Sequence, residues 1–366
     1  MIKKYETSIC SNQDGLELSV LWLEPENEPK GILQISHGMS EYKERYLPFM
    51  RYLCERGYLC AIHDHRGHGK SVKYKSDLGY MYGGKDDALV EDLHQVSVWL
   101  KDRYPNLPFY MLGHSMGSLI ARNYLKQYDY ELEKLILTGP PCENPAAGLG
   151  LLISRAEKRF SGAHHKSKLL ELMAFGPYAL KFKGESSRSS WVCSDKEVVR
   201  KYDESEYCGF TFSADAFESL MLLMKETYSK KGWKLKNKEL PILFLAGADD
   251  PCAGGGRKFV KELQFMKSIG YRKVTGKMWR KSALFSPLRE PQFYFSENFF
   301  RTYEKTGFFC FLWKSLPRFR KKLSGVHLFF HLRKVKKIKL GRNIRSVNCC
   351  NGLLCVNLFK GTLCHK

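Results

Sequence analysis

The segment GHSMG (113–117) holds a serine between two glycines, a spacing that suits a nucleophile. A serine hydroxyl attacks a carbonyl carbon well only when a base takes its proton and a sharp turn exposes its side chain. The apolar run FYML (109–112) precedes the motif, and the helix-like segment SLIARNYLKQY (118–128) follows it. The pattern therefore predicts a strand, a tight turn and a helix, with Ser115 at the turn as the nucleophile.

Such chemistry also needs backbone N–H donors for the negative oxygen of the acyl intermediate. The amide of Met116, directly after the serine, is the first candidate. The second is the amide of Met39, in the loop after the apolar run GILQIS (31–36). His37 lies in the same loop, and we expect it to support the loop by hydrogen bonding rather than to act as a base.

A carboxylate that orients the base is predicted after the apolar run PILFLAG (241–247), where Asp249 and Asp250 follow. A carboxylate in this position holds an imidazole and stabilises its protonated form. Asp250 is the preferred candidate, and Asp249 is the alternative.

The segment HDHRGHGKS (63–71) combines three histidines with an aspartate and raises the question of a metal site. These residues lie in a glycine-rich turn and not on one face of an element, so no metal site is predicted. We expect instead that Asp64 pairs with Arg66 and braces the loop. No cofactor is predicted.

Short strand-like apolar runs alternate with helix-like segments over the first 280 residues, which predicts βαβ units and a mostly parallel sheet. The runs are 31–36, 58–63, 109–113, 134–139, 241–247 and 271–279. Between 140 and 240 no strong strand signal occurs, but there are apolar helical stretches at 149–160 and 168–182. We therefore expect a core of residues 1–140 and 241–280 and an inserted helical cap of residues 141–240.

Several of these segments together resemble the α/β-hydrolases of the monoacylglycerol lipase and lysophospholipase branch, which is serine aminopeptidase-like. They are HGMSEYKERY (37–46), DHRGHGKS (64–71), GHSMGS (113–118), SSWVCSDKEVVRKYDESEYCGFTFS (189–213) and GADDP (247–251). The resemblance spans roughly residues 8–279. It implies an α/β-hydrolase fold and a serine hydrolase that cleaves a lipid-like carboxylic ester, such as a monoacylglycerol or a lysophospholipid. It also implies Ser115 as nucleophile, Asp250 as acid, and Met39 and Met116 as the oxyanion amides.

The sequence departs from that family where the base should lie. In such enzymes a histidine follows the last strand, which here corresponds to 271–279. No histidine occurs between positions 251 and 326. His327 and His331 come later, in the basic segment HLFFHLRKVKKIK (327–339), and are not expected to reach the site.

The composition changes at the same place. Residues 271–366 contain 22 basic and three acidic residues, whereas residues 1–270 contain 38 basic and 35 acidic residues. Two signals at one boundary suggest one cause. Our hypothesis is that residues 281–366 form an aberrant, basic and poorly ordered tail, as a frameshift would produce, and that the chain is inactive without its histidine.

Two other functions stay open at this point. One is a catalytically dead hydrolase body whose basic arm, with Lys321, Lys322 and the segment RKVKKIK (333–339), binds RNA or an anionic membrane. No recognised nucleic-acid module is visible, so no nucleic acid is expected as partner. The other is an aminopeptidase-type amidase on the same scaffold.

Bulk properties set the remaining expectations. The 366 residues are 43% hydrophobic, and no apolar run approaches the roughly 20 residues of a membrane span. No secretory signal is visible, so we expect a cytoplasmic protein with transient membrane-surface contact at most. The 12 cysteines are scattered, which predicts free thiols. The oligomeric state is not predicted.

Overall fold

The computed structural model describes residues 1–83, 87–185 and 187–279, together with the backbone of three strands between positions 344 and 365. The chain groups into two compact units, Met1–Ser296 and Glu297–Lys366. All residues predicted to act in the site lie in the first unit.

An eight-stranded sheet forms the centre of the first unit, with the order β1-β2-β4-β3-β5-β6-β7-β8. The six strands predicted from apolar runs are confirmed, with ends shifted by a few residues. The strands are β1 (Lys3–Cys10), β2 (Glu17–Glu24), β3 (Ile32–Ser36), β4 (Leu59–His63), β5 (Phe109–His114), β6 (Lys134–Thr138), β7 (Ile242–Gly247) and β8 (Val274–Trp279).

Strands β3 to β8 pair in parallel with their neighbours, while β2 is antiparallel to both β1 and β4. This confirms the predicted mostly parallel sheet. The carboxyl ends of parallel strands meet at one edge of a sheet, where α/β proteins place their sites. The loops after β3, β5 and β7, which carry Met39, Ser115 and Asp250, therefore share that edge.

The β1–β2 hairpin was not predicted from the sequence. Strand β1 lies at the edge of the sheet, and its side chains alternate between exposed and half-buried positions. An edge strand with this exposure has no apolar run, so the hydrophobic signal used to find the other strands does not mark it.

Eight α-helices are present in the described residues. They are α1 (Leu47–Cys54), α2 (Ala88–Arg103), α3 (Met116–Tyr128), α4 (Ala147–Ser161), α5 (Lys168–Lys181), α6 (Lys196–Glu204), α7 (Ala214–Thr227) and α8 (Gly256–Ile269). Helices α4 to α7 lie between β6 and β7, where the only described β contact is an isolated bridge between Lys166 and Ser213. None of the described helices combines the length and apolar character that crossing a membrane requires.

The four inserted helices differ in how they pack. Helix α7 is built into the core, because Asn123 of α3 donates hydrogen bonds to the Leu223 carbonyl at 3.2 Å and to Thr227 Oγ1 at 2.8 Å. Helices α4 and α5 instead expose apolar side chains. Seven of the 12 exposed large hydrophobic residues in the described chain lie on these two helices: Leu149, Leu152, Phe160, Leu169, Leu172, Met173 and Leu180.

Every side chain of β3, β4, β5 and β7 is buried. This is expected for parallel strands that are covered by helices on both faces of the sheet. The loops at the sheet's edge are therefore anchored in closely packed strands.

The second unit contains a three-stranded antiparallel sheet in the order β11-β10-β9. Its strands are β9 (Ile344–Cys350), β10 (Leu353–Leu358) and β11 (Gly361–His365). The prediction of a poorly ordered tail over 281–366 otherwise concerns residues outside the described ones, and it stays a prediction.

Candidate active site

Ser115 lies at the sharp turn between β5 and α3, in a conformation that side chains rarely adopt. Its backbone angles are φ 50° and ψ −117°. Such an angle in a residue other than glycine costs about 1–3 kcal/mol and persists only where the surroundings enforce it. Here the Ser115 N–H donates to the Thr138 carbonyl at 2.9 Å, and the Ser115 carbonyl accepts from Ser118 Oγ at 2.6 Å.

The two glycines of the motif allow the turn to close. A Cβ on Gly113 would lie 2.6 Å from the carbonyl oxygen of Gly117. A Cβ on Gly117 would overlap the carbonyl oxygen of Ser36, at the end of β3. Both positions therefore need a residue without a side chain, as the close backbone approach at such a turn requires.

The Ser115 hydroxyl is not used to cap its helix. Ser167 and Ser213 occupy the N-cap positions of α5 and α7, and their hydroxyl oxygens accept the N–H of Leu170 and Ala216. This is the usual role of a serine at the start of a helix. Ser115 is the N-cap of α3, but its side chain makes no capping bond, and it stays half-buried at the edge of the sheet.

The loop after β3 lies directly against Ser115. A Cβ built on Gly38 would be 3.3 Å from the Ser115 Cβ. The next residue is Met39, whose N–H donates no backbone hydrogen bond within the described part of the chain. Met116 is the first residue of α3, so its N–H has no partner inside the helix. These two amides remain the candidates for the oxyanion donors.

A buried carboxylate that the sequence analysis overlooked fixes this loop. Glu41 Oε1 accepts the Gly38 N–H at 2.6 Å and the Tyr46 hydroxyl at 2.9 Å, and Glu41 Oε2 is paired with Arg45. Burial alone would raise the pKa of Glu41, but the charge of Arg45 and further hydrogen bonds hold it below its ordinary value. The spacing of Glu41 and Arg45, four residues apart in HGMSEYKERY, was a readable signal for this pair.

Asp250 follows β7 and is almost completely buried, whereas Asp249 is exposed. The Asp250 Oδ1 atom accepts the backbone N–H of Cys252 at 2.8 Å and of Ala253 at 3.4 Å. These bonds fix the carboxylate in the turn at the same sheet edge as Ser115. The geometry favours Asp250 over Asp249 as the candidate acid.

No histidine is hydrogen-bonded to the Ser115 hydroxyl among residues 1–83, 87–185 and 187–279. His114 precedes the serine, but its Nδ1 is paired with Thr138 Oγ1 at 2.9 Å. Burial lowers the pKa of His114 to about 4, although the charge of Glu41 opposes this shift. His327 and His331 lie outside the described residues.

His37 has the supporting role expected of it. Its Nε2 accepts the His65 backbone N–H at 3.0 Å, so Nδ1 carries the proton and donates to the Gly38 carbonyl at 2.7 Å. His68 similarly accepts the Ser40 N–H at its Nε2 atom, at 3.2 Å. Both imidazoles act as neutral acceptors that attach the β3 loop to the loop after β4. Burial lowers the pKa of both His37 and His68, which favours the neutral imidazole.

The expected pairing of Asp64 with Arg66 is wrong. Asp64 is bonded to the Lys43 ammonium at 2.7 Å, and Arg66 Nε donates to Asp92 at 2.8 Å. Side chains two residues apart in this turn point to different partners, which come from distant parts of the chain. Each still braces the loop. In the part of the chain that the structure describes, no group of three or more acidic, histidine or cysteine side chains is placed to hold a metal ion.

Helix α5 touches the turn that carries Asp250. Lys181 Nζ donates to the Asp249 carbonyl at 2.8 Å, and the Tyr178 hydroxyl lies close to the Cys252 thiol, which raises the pKa of Tyr178. Phe175 and Trp191 pack around Tyr178, with ring centroids 5.9 and 5.3 Å from it. The inserted segment is thus connected to the candidate acid by one helix. Sequence patterns gave no signal for these contacts.

A family model described as serine aminopeptidase, S33, matches residues 27–275, which is more than half of the chain. The chain belongs to the serine aminopeptidase S33 family. This confirms the resemblance that the motifs indicated.

Curated relatives of this S33 family protein match only part of it. Human monoglyceride lipase is 34% identical over 110 residues, which are 30% of this chain and 35% of that protein. The monoglyceride lipase homolog of monkeypox virus is 35% identical over 115 residues, 31% of this chain and 40% of that protein. The chain therefore spans about 35–40% of the length of these relatives.

Solved structures confirm the α/β-hydrolase fold over a larger part of the chain. A thermostable carboxyl esterase from Bacillus coagulans has a TM-score of 0.71 at 23% identity, covering 85% of this chain and 98% of that one. A monoglyceride lipase variant from Saccharomyces cerevisiae has a TM-score of 0.56 at 20% identity, covering 76% of this chain and 86% of that one. At these identities the likeness concerns the fold alone.

Proposed function

We propose that this chain is the body of a serine hydrolase that cleaves a lipid-like carboxylic ester, such as a monoacylglycerol or a lysophospholipid. The observation that carries the proposal is the strained Ser115 at the start of α3, whose hydroxyl does not cap the helix. A backbone strain of this kind is retained where a nucleophile must be exposed.

In this proposal Ser115 Oγ attacks the carbonyl carbon of the ester. The N–H groups of Met39 and Met116 donate hydrogen bonds to the oxygen that becomes negative. The intermediate collapses, the alcohol leaves with a proton, and water then hydrolyses the acyl-enzyme. Asp250 has the position of the carboxylate that, in a complete triad, orients the imidazole that moves these protons.

The lipid nature of the ester is supported by the exposed leucines of α4 and α5 and by the names of the relatives, which are monoglyceride lipases. Apolar side chains beside the site edge would receive an acyl chain or contact a membrane surface transiently.

We further propose that turnover by this chain is very low. No histidine follows Asp250 before position 327, and no described histidine bonds to Ser115. An enzyme of this type without its base keeps only about 10³–10⁴-fold acceleration over water, from binding and the oxyanion donors. The frameshift hypothesis for residues 281–366 predicts that another reading frame of the DNA after Trp279 encodes a His-Glu segment followed by a helix.

A fluorophosphonate probe on the purified full-length protein tests the nucleophile. We expect slow labelling of Ser115, faster at higher pH, which Ser115→Ala abolishes and which Ser167→Ala, a serine at another helix N-cap, retains. Labelling as rapid as that of a complete triad would contradict the missing base. No labelling of Ser115 over many hours would contradict its role as nucleophile.

Added imidazole tests whether the base is the missing component. If it is, free imidazole should increase the hydrolysis of a short-chain monoacylglycerol by the wild-type protein and not by Ser115→Ala. Comparison with a lysophospholipid and with a small peptide amide then separates a lipase from an amidase. Preferred cleavage of the amide would overturn the proposed substrate class.

A further inference from the structure

Two cysteines lie side by side behind the candidate acid. Cys142 follows β6 and Cys252 follows β7, and the Cys142 N–H donates to the Cys252 carbonyl at 2.9 Å. Standard backbone bond lengths then keep the two Cα atoms no more than about 6.8 Å apart. Disulfides bridge Cα separations of about 4.4–6.8 Å. The backbone at these two positions thus lies within the range that a disulfide can bridge.

The Cys142 thiol lies on the turn that carries Cys252. A Cβ built on Gly254 would be only 2.7 Å from the Cys142 Sγ atom, so this sulfur lies directly over the Gly254 backbone. The Cys252 side chain is 5% exposed, and its thiol lies close to the Tyr178 hydroxyl and the Asp250 carboxylate, which both affect its pKa. Both thiols are free in this structure.

We propose that Cys142 and Cys252 form a reversible disulfide when a hydroperoxide is present, and that this bond removes the Cys252 thiol from Asp250 and Tyr178. The formation of the bond depends only on the two cysteines. Its effect on catalysis rests on the proposed role of Asp250 as the acid.

Cys142 is the cysteine that reacts first, because it is half-buried while Cys252 is fully buried. The Cδ atom of Lys258 lies on the same side of Gly254 as the Cys142 sulfur, so a cation is available to stabilise the thiolate. Burial raises the pKa of the Cys142 thiol, and Lys258 only partly opposes this. The thiolate fraction is therefore small at neutral pH, and the rate of reaction rises with pH.

The chemistry balances with the hydroperoxide as the only oxidant. The Cys142 thiolate attacks one peroxide oxygen, the O–O bond breaks, and an alcohol or water leaves after taking up a proton. This produces a sulfenic acid on Cys142. The Cys252 sulfur attacks that sulfur, and hydroxide leaves with the Cys252 proton as water. The two sulfurs together lose the two electrons that reduce the peroxide.

Hydrogen peroxide treatment of the full-length protein at mildly alkaline pH tests the proposal, with mass spectrometry of the proteolytic peptides. We expect the peptides of Cys142 and Cys252 to be linked, with the loss of two hydrogens, and to separate again after dithiothreitol. Cys142→Ser and Cys252→Ser should each abolish this linked species. Cys10→Ser, at an exposed cysteine outside the site, should leave it unchanged.

A Cys142 that is oxidised to sulfinic acid while Cys252 stays a thiol would overturn the proposal, and so would Cys142 linked to a different cysteine. Because the readout is the mass of a peptide, it does not depend on ester hydrolysis. A protein that forms the disulfide but never labels at Ser115 would contradict the proposed function alone.

Discussion

Glu41 Oε1 accepts the backbone N–H of Gly38 at 2.6 Å, from a side chain that is only 4% exposed. The same carboxylate group is paired with Arg45, so the short loop between β3 and α1 has a buried charged centre. Gly38 packs against Ser115, and Met39 follows it. The position of the candidate oxyanion amide therefore depends on Glu41.

Glu41→Gln should slow the labelling of Ser115. Glutamine keeps one acceptor for Gly38, but its amide group turns the other oxygen into a donor that faces Arg45. A displaced loop costs about 10–100-fold in rate, and an unpaired buried arginine destabilises the protein by about 3–5 kcal/mol.

The measurements are the fluorophosphonate labelling rate and urea unfolding. Glu55→Gln, whose side chain is 64% exposed, is the control and should change neither. Equal rates for Glu41→Gln and wild type would show that Glu41 does not position the loop.

Gly117→Ala and Gly148→Ala form a matched pair, since each glycine is the second residue of its helix. A methyl group on Gly117 would overlap the Ser36 carbonyl, while nothing lies within 4 Å of the same group on Gly148. We expect Gly117→Ala to destabilise the fold by several kcal/mol, and Gly148→Ala to stabilise it by about 0.4–1 kcal/mol. Thermal unfolding compares the two. Similar melting temperatures for the two variants would mean that the turn at Ser115 can accommodate a methyl group at position 117.

Acid should destabilise the protein through its buried histidines. Burial, with smaller contributions from His37 and Lys43, lowers the pKa of His63 to about 3. Below pH ~6.5 the unfolded chain binds a proton at this residue and the folded chain does not, so each pH unit removes about 1.4 kcal/mol of stability. This loss continues until the pH reaches about 3, where the folded protein also takes up the proton.

His63→Leu isolates this effect, because neither ring nitrogen of His63 has a hydrogen-bond partner among the described residues. The variant should lose about 2 kcal/mol less stability than the wild type between pH 7 and pH 5. Urea unfolding at the two pH values measures the difference. Parallel losses in the two proteins would mean that His63 is already protonated in the folded state.

Arg122 connects the helix of Ser115 to the helix that follows Asp250. It is fully buried and donates to Glu262 at 2.6 Å and to the Pro141 carbonyl at 3.1 Å. Arg122→Met leaves Glu262 buried without its cation, and we expect a loss of about 3–5 kcal/mol in the free energy of unfolding. The control is Arg200→Met, which breaks ion pairs with Glu197 and Glu204 on the surface. Its unfolding midpoint should stay unchanged, and an equal loss in the two variants would contradict the role of burial.

The exposed leucines of α5 should bind membranes without help from charge. Leu172 and Leu180 are 67% and 71% exposed. Replacing both by glutamate should weaken binding to phosphatidylcholine vesicles by at least about tenfold, because each buried leucine contributes about 1.5–3 kcal/mol. Neutral vesicles are chosen so that the basic residues after position 280 cannot contribute through charge. Val98→Glu, on α2 and 39% exposed, is the control. Unchanged binding of the double variant would exclude α5 as the contact.

The sequence could predict those features that follow from local patterns. The apolar runs located six strands, and the glycine spacing located the turn at Ser115, because close backbone approach leaves a direct trace in residue type. Long-range side-chain partners leave no such trace. Asp64 and Arg66 are neighbours in sequence, yet their partners Lys43 and Asp92 are 21 and 26 residues away.

Burial supports the choice between neighbouring candidates. The motif favoured Asp250 and kept Asp249 as the alternative, and the turn after β7 leaves Asp249 exposed and Asp250 enclosed. The segment that contains Glu41 was predicted only to supply the amide of Met39, and nothing in the sequence alone shows that the Glu41 carboxylate is buried. Strand β1 was missed because it is too exposed to show an apolar pattern, whereas the buried run LSVLWL of β2 was a readable signal.

The positive φ of Ser115 costs folding stability, while the proposed reaction needs the hydroxyl that only a serine supplies at this position. Glycine adopts that conformation without penalty, so replacing the serine by glycine should give a protein that is sturdier than the natural one and chemically inert. A lineage that had stopped using this hydroxyl would gain from such an exchange. The serine is thus the residue at which a drift from enzyme to passive scaffold would first become favourable.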